Sequence, residues 1–155
     1  MGIFDKFIKK KTYDGENLRL IESYRTSEKT SYDGVATIYY DIYRLIDNVK
    51  VGSIELRLTI EGNNYYYGHV GYRIIKQYRG NNYAYYACKV LFIIAKDELK
   101  MNELIITCSP ENVPSYKILL KLNGELIEHV SVPKGHLLYS LGEKSKYVFR
   151  YKISL

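Results

Sequence analysis

The sequence predicts an α+β fold, three layers built on a mixed, mostly antiparallel sheet of about seven strands. Three observations carry that prediction. Strand-patterned segments fill the first part of the chain, a strand–helix–strand–helix stretch follows over 69–122, and two more strand patterns close it. At 155 residues, 1–155 forms one domain, long enough for a core and too short for two.

The elements follow in order. Ile3, Phe4, Phe7 and Ile8 recur at helical spacing against lysines, a short amphipathic helix. Packing on the domain or on a dimer partner is preferred to a membrane-surface anchor. Residues 17–25 alternate weakly as a first strand, and the Ser/Thr/Asp/Gly-rich 26–34 form a loop. Two strong strands, 36–47 and 51–60, meet in a hairpin at Asp47 to Lys50. Tyr39, Tyr40, Ile42, Tyr43 and Ile46 put apolar groups on both faces of the first, which predicts cover on both. A Gly/Asn/Tyr loop, 61–67, leads to a β-branched and aromatic fourth strand, 69–75.

A polar turn, 77–82, then opens a helix over 82–99 whose apolar stripe is Ala84, Ala87, Cys88, Leu91, Ile94 and Ala95. Residues 103–108 form a buried fifth strand, and 113–122 a second helix with Pro114 in its first turn. Asn123-Gly124 ends that helix. A sixth strand, 125–132, a long loop, 133–145, and a final strand, 147–154, complete the chain.

Composition narrows the function less than the pattern does. The chain is 46% hydrophobic and 26% charged, ordinary for a globular protein. Its 18 tyrosines suit half-buried strand positions with wet hydroxyls better than base stacking. The net charge of +6 permits polyanion binding, but nothing matches a nucleic-acid module, so nucleic acid is set aside. Cys88 and Cys108 lack metal-ligand or redox spacing and read as buried free thiols of a cytoplasmic protein. No apolar run has membrane-spanning length.

A strand, a Gly-containing turn and a helix N-terminus make an anion site, because free backbone N–H groups and the positive helix end point the same way. The turn here reads Gln77-Tyr78-Arg79-Gly80-Asn81-Asn82-Tyr83-Ala84. It resembles the acyl-CoA pyrophosphate loop of the GNAT N-acetyltransferases, in which Gln or Arg is followed by two residues, Gly, one residue, then Gly or Ala. Gln77 and Gly80 fit. Asn82 stands where the last small residue is expected, and Asn is the next most tolerant of a left-handed conformation. Asn112, Ser115 and the run Lys121-Leu122-Asn123-Gly124 resemble the family's second signature: Asn, two residues, Ser or Ala, a helix, then Lys-x-x-Gly. The two motifs stand in the right order on the right elements, and the resemblance covers about 51–130.

The resemblance implies a GNAT-like fold, its fourth and fifth strands splayed, with helices on both faces. It implies acetyl-CoA as co-substrate, no metal, and acetyl transfer to a primary amine, on a small molecule or a protein, by direct attack. Backbone groups of Ile74 and Ile75 would pair with the pantetheine amides. The N–H groups of Arg79, Gly80, Asn81, Asn82, Tyr83 and Ala84, with Gln77, would hold the pyrophosphate. Asn112 would bind the pantetheine arm, and Lys121 or Lys117 the adenosine phosphate. Many members protonate the leaving thiolate with a Tyr seven residues after the Asn, where this chain has Leu119. Ser115, matching a hydroxyl of the branch that acetylates ribosomal-protein N-termini, is the first candidate acid and Tyr116 the second. Thr107 stands where some members carry a Glu, which leaves Glu55, Asp41, His69 or solvent to take the amine proton. The 26–34 loop is too short for the two helices that usually wall the acceptor site, so acceptor recognition falls to 61–67 and 133–145, or to a partner chain. The alternatives are a non-catalytic CoA-binding or interaction module with this fold, and a polyanion-binding protein using the basic ends.

Overall fold

The computed structural model describes residues 9–31 and 33–154. The amphipathic helix expected around Ile3 to Ile8 lies outside the described residues. Eight strands and three helices follow one another: β1 (Thr12–Asp14), β2 (Leu18–Arg25), β3 (Thr37–Arg44), β4 (Val49–Arg57), β5 (Val70–Ile74), α1 (Tyr83–Asp97), β6 (Glu103–Cys108), α2 (Val113–Lys121), β7 (Glu125–Ser131), α3 (Leu137–Ser140) and β8 (Ser145–Lys152). The short β1 is the strand that the sequence pattern missed. It has only three residues, fewer than an alternation needs to show.

The strands form two sheets, ordered β1-β2-β3-β4-β5 and β6-β8-β7. The α+β, mostly antiparallel arrangement is as expected; every ladder is antiparallel, and the strands among the described residues number eight in two sheets where about seven in one mixed sheet were expected. The two strand–helix–strand units do not place their strands side by side: β8 separates β6 from β7. The loop expected over 133–145 contains the four-residue α3, and a 3-10 turn, Gly62–Tyr66, occupies the expected 61–67 loop.

One core holds the layers together. Leu18 and Leu20 of β2, Ile38, Tyr40 and Ile42 of β3, and Ile54 and Leu56 of β4 are each at most 2% exposed. Their alternation marks the buried face of the first sheet. The other face of β3 is only half covered, and Ile46, at the hairpin tip beyond the strand, is 90% exposed. Cover on both faces was therefore not needed. The α1 stripe is as the spacing predicts: Ala84, Ala87, Cys88, Leu91, Ile94 and Ala95 are all buried, against β2, β4 and β5. Both cysteines are buried free thiols. No helix among the described residues is long and apolar enough to cross a membrane.

Where β5 leaves the 3-10 turn, the two sheets touch. His69 donates its backbone N–H to the Ile105 carbonyl at 2.7 Å, and the His69 Nδ1 accepts the Ile105 N–H at 2.9 Å. Both backbone polar groups of Ile105 are thus satisfied by the residue that precedes β5. Gly68 permits the approach: its φ is +70°, and a Cβ there would lie 2.9 Å from the Ile105 oxygen. No β ladder joins β5 to β6 among the described residues. A cleft opens between them.

Candidate functional site

The ladder with β4 decides which backbone groups of β5 face the cleft. Ile75 donates to Val51 (2.8 Å), and Arg57 donates to His69 (2.7 Å). Antiparallel bonding alternates along the strand, so Gly71 and Arg73 also face β4 while Val70, Tyr72 and Ile74 face away from it. Ile75 is further occupied through its carbonyl, which accepts from Tyr78 at 2.8 Å. Both backbone groups of Ile75, expected to face a pantetheine arm, are thus engaged within the chain, and the edge turned to the cleft is that of Tyr72 and Ile74. The Ile74 carbonyl meanwhile accepts from Arg79 Nε at 3.0 Å.

Beyond β5 the chain makes the turn that the motif predicts. Gly80 has φ +86° with open space where a Cβ would sit, and Asn82 adopts the left-handed region, φ 60° and ψ 21°. Asn82 makes no side-chain cap, so the first N–H groups of α1 have no side-chain acceptor from it. The Asn81 side chain braces the turn by donating to the Tyr78 carbonyl at 3.0 Å. Gln77 is exposed and lines neither cavity described below.

A cleft of about 640 Å³ lies between this turn and α2. Gly80, Asn82, Tyr83 and Ala84 line one side, and Asn112, Ser115 and Lys121 the other. Its charged lining consists of Arg73, Arg79, Lys117 and Lys121, with no carboxylate. Lys121 sits with its Nζ 4.3 Å from the centre of the Tyr85 ring. A second cavity of about 190 Å³ adjoins it, and Tyr72, Asn112 and Ser115 line both. Asn112 caps α2, its Oδ1 accepting the Ser115 N–H at 3.3 Å. The Tyr72 hydroxyl donates to Ser115 Oγ at 2.8 Å, and burial, the first cause, pushes its pKa up to about 12.

The other candidates are placed elsewhere. Tyr116 packs against Tyr147 and Phe149, ring centres 5.4 and 5.9 Å away, and lines neither cavity. Leu119 is 1% exposed, and its carbonyl accepts from the Tyr151 hydroxyl. Among the candidate bases, Asp41 pairs with Lys50 at 3.0 Å and Glu55 with Arg57 at 2.8 Å. His69 is 8% exposed, and burial above all lowers its pKa to about 4. None of the three lines either cavity.

The smaller cavity brings in residues that the sequence did not single out: Tyr72, Arg57, Ser109, Glu143 and Lys146. Glu143 Oε1 accepts from Lys146 Nζ at 2.7 Å and from the Ser109 hydroxyl. Tyr72 carried a local signal, since it alternates with Val70 and Ile74. Ser109 and Glu143 carried none, being 34 positions apart. The loops 61–67 and 133–145 meet beside this cavity: His136 Nδ1 accepts from Leu138, so its Nε2 carries the proton and donates to the Asn63 carbonyl at 2.8 Å.

A turn lined by cations and free backbone N–H groups, with an Asn-capped second helix opposite, is an arrangement suited to a phosphate-bearing ligand. The Acetyltransferase (GNAT) domain profile matches residues 6–125, and the chain belongs to that family. It is 29% identical over 69 residues to a Bacillus subtilis protein named Uncharacterized N-acetyltransferase YnaD, an overlap covering 43% of this chain and 41% of that one. A GNAT-family acetyltransferase of Bacillus anthracis superposes with a TM-score of 0.61 at 20% identity, over 74% of this chain and 66% of that one. The ribosomal-protein-S5-alanine acetyltransferase of Vibrio fischeri gives 0.64 at 12% identity, over 92% and 96%. At such identities the two structures speak for the fold. The chain spans less than two thirds of the length of either Bacillus protein.

Proposed function

We propose that this chain is an N-acetyltransferase that moves an acetyl group from acetyl-CoA to a primary amine. The observation that carries the reading is the larger cleft, whose charged lining is wholly cationic and which ends at the uncapped first turn of α1. That donor set fits a diphosphate joined to a further phosphate. The N–H groups of Gly80 to Ala84 would hold the diphosphate and Lys117 or Lys121 the remaining phosphate. Asn112 and the open edge at Tyr72 and Ile74 would hold the amides of the arm, with Arg79 releasing the Ile74 carbonyl.

Acetyl-CoA supplies the activated acetyl thioester; the chain supplies position and protons. Ser115 stands where the two cavities meet. Because Tyr72 donates to Ser115, the proton of the serine hydroxyl is free to point elsewhere. Ser115 gives that proton to the sulfur as the C–S bond breaks and the N–C bond forms. Tyr72, protonated near neutral pH, restores it, and solvent reached through the smaller cavity takes the proton lost by the amine and returns one to Tyr72.

The test is release of CoA thiol from acetyl-CoA in the presence of an amine panel. Ser115→Ala is expected to lower kcat by about 10²-fold or more with little change in the Kd for acetyl-CoA. Unchanged turnover would remove Ser115 from the mechanism. Acetyl-CoA binding without thiol release from any amine would mark a CoA-binding module instead.

A further inference from the structure

We infer, on the basis of that reading, that the acceptor is a small primary amine carrying an anionic group, a carboxylate or a phosphate, bound in the 190 Å³ cavity by Arg57 and Lys146. Size comes first. At about 190 Å³ the cavity has room for a small metabolite or a single residue. Charge comes next. Arg57 and Lys146 are the cations of the lining and Glu143 its carboxylate, while Glu55 pairs with Arg57 from outside the lining, so the cavity surface itself presents two cations and one carboxylate.

Both cations keep donors to spare. Lys146 is 7% exposed and pairs with Glu143 Oε1. Of its three N–H groups that bond uses one. Arg57 donates from Nη1 to the Gly68 carbonyl at 3.2 Å and from Nη2 to Glu55 at 2.8 Å, with its guanidinium 5.5 Å from the centre of the Tyr67 ring. These contacts fix the fork and leave part of its five donors for a ligand. An anion placed there gains charge-assisted hydrogen bonds in a low-dielectric pocket. A diamine would instead bring a second positive charge to a surface whose carboxylates are already engaged, Glu143 by Lys146 and Ser109 and Glu55 by Arg57. The covering loops of the cavity supply Tyr67 and Glu143, so the same elements that close the pocket set its charge.

The experiment compares kcat/KM for β-alanine, 2-aminoethyl phosphate, propylamine, putrescine and a short peptide with a free N-terminus, using thiol release from acetyl-CoA. Thermal shift with acetyl-CoA alone runs beside it. One or both anionic amines are expected to exceed propylamine and putrescine by at least about tenfold, with the stronger of the two identifying the anion. The ratio of anionic to neutral amine is expected to collapse toward one in Arg57→Gln. It is also expected to collapse in Lys146→Gln combined with Glu143→Gln, which avoids stranding a buried carboxylate. Thiol release from propylamine, putrescine or the peptide at rates equal to or above the anionic amines overturns the inference and leaves the acetyltransferase reading standing. So does a ratio that survives in both variants, or release from another amine with none from either anionic one; acetyl-CoA binding with no release from any amine overturns both readings. A flat thermal shift with acetyl-CoA overturns both.

Discussion

His69 shows how one side chain serves the cleft without lining it. Its ring accepts the Ile105 N–H while its own backbone donates to the Ile105 carbonyl, closing a seam between the two sheets. Accepting through Nδ1 requires the neutral imidazole, and burial lowers its pKa from 6.5 to about 4. A group with a depressed folded pKa leaves the unfolded chain binding the extra proton between those values. Its contribution is therefore complete above about pH 6.5 and is lost as pH falls toward 4, on the order of 3 kcal/mol in all. Urea unfolding followed by circular dichroism is expected to show stability falling steeply from pH 6.5 to 4.5. In His69→Asn, whose amide oxygen can accept the same N–H without titrating, the slope is expected to flatten. Equal slopes in the two proteins would mean that His69 does not govern the seam.

At the scale of elements, the turn between β5 and α1 is where local sequence and local structure agree most closely. Asn82 carries the left-handed conformation that the family meets with Gly or Ala, so Asn82→Gly is expected to change stability by less than about 1 kcal/mol and acetyl-CoA affinity by less than about threefold. Asn82→Val, β-branched at positive φ, is expected to cost roughly 1–2 kcal/mol and to weaken acetyl-CoA binding by calorimetry, because the turn must rotate its N–H groups to accommodate it. This turn and the α1 stripe were legible because the information lies within a few residues of itself: Gly80, Asn82 and the spacing Ala84, Ala87, Cys88, Leu91. The parity of β5 was not. Whether Ile74 or Ile75 faces the cleft depends on the bond between Ile75 and Val51, and a one-residue change of register would reverse it. The same limit hid the smaller cavity. Tyr72 meets Ser115 across 43 positions and Ser109 meets Glu143 across 34, and neither pair leaves a mark on local pattern.

The described residues form two antiparallel sheets that share one core and meet at the His69–Ile105 seam, with the cleft on the open side of it. β5 belongs to one sheet and β6, which leads directly into α2, to the other, so a ligand seated between the α1 turn and α2 bridges both. Such a ligand binds the folded chain and has no site in the unfolded one. At a hundredfold excess over Kd, linkage gives about 2.7 kcal/mol of stabilisation. For a chain of this length that corresponds to a rise in Tm of roughly 5–10 °C. The charged lining is cationic, so the rise is expected to shrink as salt increases from about 50 to 500 mM, where the Debye length falls below the reach of exposed lysines such as Lys117 and Lys121. Amide exchange then locates the effect: protection is expected to increase at Tyr83, Ala84 and Tyr85, in the first turn of α1, and at Tyr72 and Ile74 on the open edge of β5. A Tm rise that salt leaves unchanged, or protection confined to the ends of the chain, would place the ligand somewhere other than this cleft.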